Sequence, residues 1–378
     1  MFPEIGITQM IKHSEELCGD KVVVEKRGEL TIIVLSDGLG SGVKANILAT
    51  LTTKIISGML KNGSKLADVV DTIAHTLPVC KVRNVAYSTF HIISVSTTGE
   101  VHVAEFDSPP TLLYRNGRVI RFPVEEREIS GKKLNVGHLD LIYGDALFMV
   151  SDGVIHAGIG GLLKLGWQQK GLEDYIRENY NSDKLSQYFS RDIVNCCEGY
   201  YLGKAGDDTT AVVVKMRKPR KLMLMVGPPT DKNLDEQVAR KLLDFEGKKI
   251  VSGGTTANIV SRVLNKKIKV DINTISSEVP PVGSMDGVDL VTEGILTVNA
   301  VAERMKNSLP EKTPRDGADI MRSYFLGADD ITIMAGKSVN PAHQNPNFPL
   351  QINLKVQVVE KLVDILREYG KNVNVEWY

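Results

Sequence analysis

Four aspartates stand where the chain turns out of, or into, an apolar run. Ser36-Asp37-Gly38-Leu39-Gly40-Ser41-Gly42 follows Thr31-Ile32-Ile33-Val34-Leu35, and Ser151-Asp152-Gly153-Val154 follows Ala146-Leu147-Phe148-Met149-Val150. Gly206-Asp207-Asp208-Thr209-Thr210 precedes Ala211-Val212-Val213-Val214, and Gly19-Asp20 precedes Lys21-Val22-Val23-Val24. Carboxylates brought together repel, and each raises the proton affinity of the next. A cluster of three or four therefore calls for a hard, oxygen-loving cation such as Mg²⁺ or Mn²⁺. Two such ions about 4 Å apart can share a carboxylate and acidify a water held in line with a phosphoryl group. The glycines after Asp37 let the backbone come close, so a main-chain carbonyl can also reach a metal. Taken singly, each motif is also a common turn: Asp-Gly closes hairpins, and Asp-Asp often sits in a solvated loop before a strand. Their combination within one segment favours the cluster.

The elements that must position these residues are short strands interleaved with helices. In residues 1–216, Phe90 to Ser96, Val101 to Phe106 and Thr111 to Tyr114 read as a meander, with Gly99 and Asn116-Gly117 as tight turns. Helices are expected over Ala45 to Leu60, Leu66 to His75, Gly171 to Asn179 and Ser186 to Cys197. This mixture predicts a layered α/β sandwich. The basic, Pro-containing stretch Lys215 to Lys221 reads as a linker, placed at 217–221.

Residues 222–378 alternate more regularly. Strands are expected at Leu222 to Val226, Lys249 to Ser252, Ile268 to Ile272, Val288 to Thr292, Ile331 to Ala335 and Val373 to Trp377. Helices are expected near Leu234 to Phe245, Thr255 to Leu264, Leu296 to Asn307, Ala318 to Phe325 and Leu354 to Tyr369. The order predicts a smaller, Rossmann-like parallel sheet. Between its second strand and helix lies Ser252-Gly253-Gly254-Thr255-Thr256, a candidate anion-binding loop whose exposed N–H groups suit a phosphate or carboxylate. No Lys follows the glycines, so it is not a Walker A loop. The competing interpretation is a plain strand-to-helix turn with Thr255 as N-cap.

Ala328-Asp329-Asp330-Ile331-Thr332-Ile333 imitates the Asp207 motif but has no Asp-Gly-x-Gly-x-Gly partner upstream, and reads as a solvated turn. Asp286-Gly287 and Asp289 read as a turn rather than part of the loop's cleft. His343, in an Asn-Pro loop, reads as solvated, and Cys196-Cys197 as core.

Composition narrows the classes. The chain has 378 residues, with 46 Lys+Arg against 46 Asp+Glu, so no basic excess recommends nucleic acid or an anionic membrane surface as partner. At 42% apolar and 24% charged residues it is globular rather than disordered. No apolar run spans a bilayer, and Met1 to Asp20 does not read as a signal peptide. The four cysteines lack CxxC spacing, which argues against a zinc site or disulfide framework and for a reducing cytoplasm.

The aspartate set resembles that of the metal-dependent protein phosphatases (the PPM, or type-2C serine/threonine phosphatases), in the branch typified by stage II sporulation protein E. The resemblance covers about residues 15–216. It rests on Cys18-Gly19-Asp20, the Ser36–Gly42 block, Ser108-Pro109-Pro110, Ser151-Asp152-Gly153-Val154 and Asp207-Asp208-Thr209-Thr210-Ala211-Val212-Val213-Val214. It implies an α-β-β-α sandwich holding two Mn²⁺ or Mg²⁺ ions. Asp37 would bridge them, Asp152 and Asp207 would complete the first site, and Asp20 with the Gly38 carbonyl would bind the second. A metal-bound hydroxide would then attack phosphoserine or phosphothreonine of a bacterial regulatory protein. Asp207 rather than Asp208 is the implied ligand, because the family places it first in the pair. His156 departs from the acidic residue common at its position, and Asp107 from a small residue or His; neither removes a ligand.

The expected protein is thus a cytoplasmic protein phosphatase, with no nucleic-acid or membrane partner, that could form a homodimer. Its C-terminal α/β domain would regulate or bind a ligand. The alternative is a phosphatase-like docking or sensor protein whose C-terminal domain binds a small anion.

Overall fold

The computed structural model describes residues 1–76, 79–80, 85–86, 88–159, 161–276, 278–307, 316–338 and 350–378. His343 and its Asn-Pro loop lie outside the described residues. The chain forms two compact units, Met1–Lys218 and Pro219–Tyr378.

In the first unit the strands are β1 (Phe2–Met10), β2 (Asp20–Arg27), β3 (Leu30–Asp37), the short pair β4 (Val79–Cys80) and β5 (Val85–Ala86), β6 (Phe90–Ser96), β7 (Glu100–Phe106), β8 (Leu112–Arg115), β9 (Arg118–Arg121), β10 (Glu125–Ile129), β11 (Lys132–Asp140), β12 (Ala146–Val150) and β13 (Thr209–Arg217). The helices are α1 (Gly42–Lys61), α2 (Leu66–Thr76), α3 (Asp152–Ile155), α4 (Gln168–Asn179) and α5 (Ser186–Tyr200). Among the described residues, one sheet runs β1-β13-β12-β8-β9 and a second runs β10-β11-β7-β6-β3-β2.

Period-two alternation explains the layering. Ile33 and Leu35 of β3 point inward, meeting Leu147, Met149, Val212 and Val214 of the other sheet. Ile32 and Val34 point outward, under Ile56 of α1 and Val69 and Val70 of α2. On the opposite side, Phe148, Val150 and Val213 take Leu172 and Ile176 of α4 and Phe189 and Ile193 of α5. Two sheets face each other with a helical layer on each outer face.

Some elements were not foreseen. Strand β1 escapes a reading by pattern because Pro3 and Gly6 interrupt it, yet it pairs with the whole length of β13. As an edge strand it tolerates the proline, and a Cβ on Gly6 would lie 2.2 Å from the Ser186 backbone of α5. Strand β13 also runs on through Lys215, Met216 and Arg217, into the stretch that composition marks as linker. The buried Lys215 is satisfied there by the carbonyls of Ser182 and Lys184, at 2.9 and 2.6 Å.

The second unit holds β14 (Lys221–Val226), α6 (Asp235–Leu243), β15 (Lys248–Ser252), α7 (Gly254–Leu264), β16 (Lys269–Asp271), β17 (Val282–Met285), β18 (Val288–Thr292), α8 (Gly294–Asn307), α9 (Gly317–Gly327), β19 (Asp330–Ala335), α10 (Leu350–Glu368) and β20 (Asn372–Trp377). Its sheet runs β16-β17-β18-β15-β14-β19-β20. Strands β18, β15, β14, β19 and β20 are parallel to their neighbours in that run, and the β16–β17 ribbon adds an antiparallel edge. Leu222 and Leu224 of β14 face α8, α9 and α10, while Met223 and Met225 face α6 and α7. Asp329 is buried rather than solvated: its carboxylate accepts the Arg220 N–H at 2.7 Å. Among the described residues, no helix is long and apolar enough to cross a membrane.

Candidate metal centre

The four aspartates come together at one end of the sandwich, each delivered by a strand terminus. Asp20 opens β2 and Asp37 closes β3, and the two are direct partners in the antiparallel register. Asp152 is the first residue of α3, two residues after the end of β12, and Asp207 stands two residues before β13. The backbone of Asp37 is pinned from the residues just before β6, its carbonyl accepting the Thr89 N–H and the Ser88 hydroxyl, both at 2.9 Å.

Close packing at two glycines makes this convergence possible. A Cβ on Gly38 would lie 2.0 Å from the carbonyl oxygen of Ala45 in α1. One on Gly153 would lie 2.0 Å from the carbonyl oxygen of Asp208. Real Cβ atoms do not approach that closely, so only glycine fits behind Asp37 and behind Asp152.

Asp20 is nearly inaccessible, at 1% exposure. Its Oδ2 accepts the Thr210 hydroxyl at 2.6 Å, while Oδ1 is buried with no hydrogen-bond partner. Burial, and then the nearby Asp208 and Asp152 carboxylates, outweigh the Thr210 and Ser151 hydrogen bonds and push its pKa up to about 7. Asp37 is driven well above the usual carboxylate range by burial and by the charges of Asp20, Asp152 and Asp207. Asp207 is raised by burial and by Asp152. Each shift records like charges gathered with too little water to separate them.

The Asp207-Asp208 pair divides. Asp207 Oδ1 accepts the N–H of Asp208 at 3.0 Å, and its charge acts on Asp37. Asp208 is buried and accepts the Lys12 N–H at 3.0 Å, bracing the β1–β2 loop. Asp152 stays half-exposed, its Oδ2 3.6 Å from His156 Nδ1.

The donor set is all hard oxygen, and the orphaned Asp20 Oδ1 beside mutually repelling carboxylates fits a divalent cation. Among the described residues, no three His, Cys, Asp or Glu side chains already stand as a ready-made coordination group. The carboxylates are assembled within electrostatic reach and are not locked into a ligand shell.

Sequence reasoning missed a buried polar chain beside them. His91 Nε2 lies 2.6 Å from the Thr111 hydroxyl, which donates to Glu105 Oε1 at 2.7 Å. Burial pushes His91 down to about 3 and raises Glu105, so His91 is a neutral imidazole. His91 shares a small pocket with Asp37, Thr89, Ser108 and Asp152. Its only sequence signal was its position on a strand leading away from Asp37's partner loop.

The sequence model of the stage II sporulation protein E family matches residues 27–217. The chain belongs to this family. Asp37, Asp152 and Asp207 lie inside the matched span and Asp20 just before it. Among solved structures, the PP2C phosphatase domain with a fragment of the regulatory domain of stage II sporulation protein E from Bacillus subtilis is 20% identical, with a TM-score of 0.50; the match covers 57% of this chain and 64% of that one. The chain thus spans less than two thirds of that relative. The phosphatase domain of the same Bacillus subtilis protein in a form without domain swapping is 20% identical at TM-score 0.45, covering 57% and 92%. The RsbU and RsbW domains of a Mycobacterium tuberculosis protein are 19% identical at TM-score 0.46, covering 64% and 69%. At these identities the likeness concerns the fold, a mixed α/β sandwich of the PP2C type. No curated protein matches the chain.

Proposed function

We propose that the first unit is a metal-dependent phosphatase that removes phosphate from phosphoserine or phosphothreonine of a bacterial regulatory protein. One observation carries this reading: Asp37, partly buried, lies in the field of three other carboxylates, Asp20, Asp152 and Asp207. In it, Asp37, Asp152 and Asp207, with Asp20 and the Gly38 carbonyl, would hold two Mn²⁺ or Mg²⁺ ions, Asp37 serving both sites. Such ions neutralise phosphoryl oxygens and acidify a water. The chain's own residues hold the donors in place: Thr210 fixes Asp20 through its hydroxyl, and Ser151 Oγ accepts the Thr210 N–H at 2.9 Å, tying β12 to β13. Asp152 and His156, both half-exposed, stand where a phosphorylated segment would arrive. A regulatory substrate accords with the Bacillus subtilis relative, which is described as a cell-fate determinant.

The test is hydrolysis of p-nitrophenyl phosphate and of phosphoserine and phosphothreonine peptides, with EDTA, Mg²⁺ or Mn²⁺ in parallel. Activity restored by metal and abolished in Asp37→Asn is the expected result. Undiminished activity in Asp37→Asn would sink the reading.

A second reading, a phosphatase-like docking or sensing module, is favoured by the absence of a ready-made coordination group among the described residues. Calorimetry with Mn²⁺ separates the two, since the docking module would bind none.

A further inference from the structure

We propose that the second unit binds a ribonucleotide, its phosphate on the N-terminus of α7 and its ribose hydroxyls on Glu293. The strand order β18-β15-β14-β19-β20 places β15 and then β18 to one side of β14 and the later β19 and β20 to the other. That is the order of doubly wound sheets, whose ligands lie beyond the carboxyl ends of the strands. A cleft of about 810 Å³ opens there, bordered by the residues that follow β14, β15 and β18. Its size suits a nucleotide.

Strands β15 and β18 are adjacent and parallel, with α7 between them in sequence. The turn after β15 is Ser252-Gly253-Gly254, and the residue after β18 is Glu293. A glycine turn into a helix, followed by an acidic residue at the end of the neighbouring strand, is the physical arrangement that holds a phosphate and a ribose side by side. The two strand ends are tied together: Gly253 N–H donates to the Thr292 carbonyl at 2.8 Å, and Ser252 Oγ donates to the Gly294 carbonyl at 3.0 Å. The turn departs from the G-x-G-x-x-G spacing, and the β16–β17 ribbon is inserted before β18.

The helix end is prepared for an anion. Gly253, with φ of 115°, is the N-cap in place of Thr255, and no side chain caps the helix. The first turn carries no acidic residue, and the first helical bond is Ala257 N–H to the Gly253 carbonyl. The N–H groups of Gly254, Thr255 and Thr256 are thus left to an outside acceptor. Independently, the Thr256 hydroxyl, on a residue 1% exposed that borders the cleft, has no partner. It faces Gly253, where a Cβ would lie 3.2 Å from it. Lys232, Arg262 and Lys355 line the same cleft against Asp235 and Glu293, leaving a cationic excess. Lys355 is anchored by the carbonyls of Gly336 and Ser338, at 3.0 and 2.8 Å, which leaves its third N–H for a ligand.

Calorimetry of the full chain with ADP, GDP, CDP and UDP, and with the matching nucleosides and 2′-deoxynucleotides, tests this. At least one ribonucleotide should bind, its nucleoside much more weakly. Thr255→Asp adds a charge that a helix N-terminus tolerates well, so the fold should persist in thermal unfolding while nucleotide affinity falls about tenfold or more. Glu293→Gln should erase most of the preference for the ribonucleotide over its 2′-deoxy form. Binding of none of the four, equal binding of the nucleoside, or unchanged affinity in Thr255→Asp would each overturn the proposal. The readout uses neither metal nor hydrolysis, so failure of the phosphatase reading leaves it untouched.

Discussion

Asp20 and Asp37 face each other directly across the β2–β3 pair. Directly opposed residues of an antiparallel pair project to the same face, and like charges there are destabilising. The strand ladder therefore forces two carboxylates together before any ligand is considered, and Asp152 and Asp207 add to the same field. A fold that kept this arrangement without a counter-charge would carry its cost for nothing.

Asp37→Asn separates chemistry from stability. An amide has the shape of the protonated carboxyl that burial and its neighbours favour at Asp37. In EDTA at neutral pH the variant should unfold within about 1 kcal/mol of the parent, or later. If Asp37 holds metal as proposed, metal-dependent hydrolysis should fall by at least about a hundredfold. Thermal unfolding and phosphoester hydrolysis on the same preparation check both; a large loss of stability would show that Asp37 has a structural role instead.

Metal binding should release protons. Asp20 rises from an ordinary 3.8 to about 7, and Asp37 rises too. Above pH 3.8 the unfolded chain has lost the proton that folded Asp20 keeps, so metal-free stability declines as pH climbs from there to about 7. A cation displaces those protons, so its affinity should increase over the same range. Mn²⁺ titrations at pH 6 in two buffers of different ionisation heat would reveal the release. Identical heats would contradict the shifts.

Gly38→Ala and Gly153→Ala should both be severe. Each new Cβ meets a backbone oxygen at 2.0 Å, which no side-chain rotation can relieve. Either the α1 entry or the α3–β13 contact must open, at roughly 1–3 kcal/mol or more. Because both glycines adjoin aspartates of the cluster, activity should drop further than stability. A melting temperature equal to the parent's would show that the backbone adapts freely.

Much of the centre was legible because Asp37, Asp152 and Asp207 are bracketed by turn glycines or polar residues and uninterrupted apolar runs, and those runs did become β3, β12 and β13. What was illegible lacked a local signature. The edge strand β1 hides behind Pro3 and Gly6, and only its long-range pairing with β13 makes it a strand. His91, Thr111 and Glu105 sit on β6, in the following loop and on β7, and nothing along the chain announces that their side chains meet. Strands β10 and β11 are rich in charged residues, and they hold through pairing to each other and to β7. At Gly253, helix start and cap were displaced from Thr255 because a positive φ, rather than a hydroxyl, makes that turn.

Glu4 supplies a prediction of opposite sign to Asp20. It is the β1 partner of Lys215, is 8% exposed, and meets Lys215 Nζ at 3.2 Å, the Arg217 guanidinium and the Ser186 N–H at 2.8 Å. Burial pushes its carboxyl up, but the Ser186 hydrogen bond and the two cations more than offset that, holding it at about 2 against an ordinary 4.5. Its contribution is therefore complete above pH 4.5 and lost as pH falls toward 2. Glu4→Gln leaves two largely buried cations facing an amide, and should cost roughly 2–4 kcal/mol at neutral pH. The loss should shrink on acidification, so parent and variant unfolding curves converge near pH 2. A penalty that stayed constant from pH 7 to pH 3 would mean that packing, rather than charge, is what Glu4 provides.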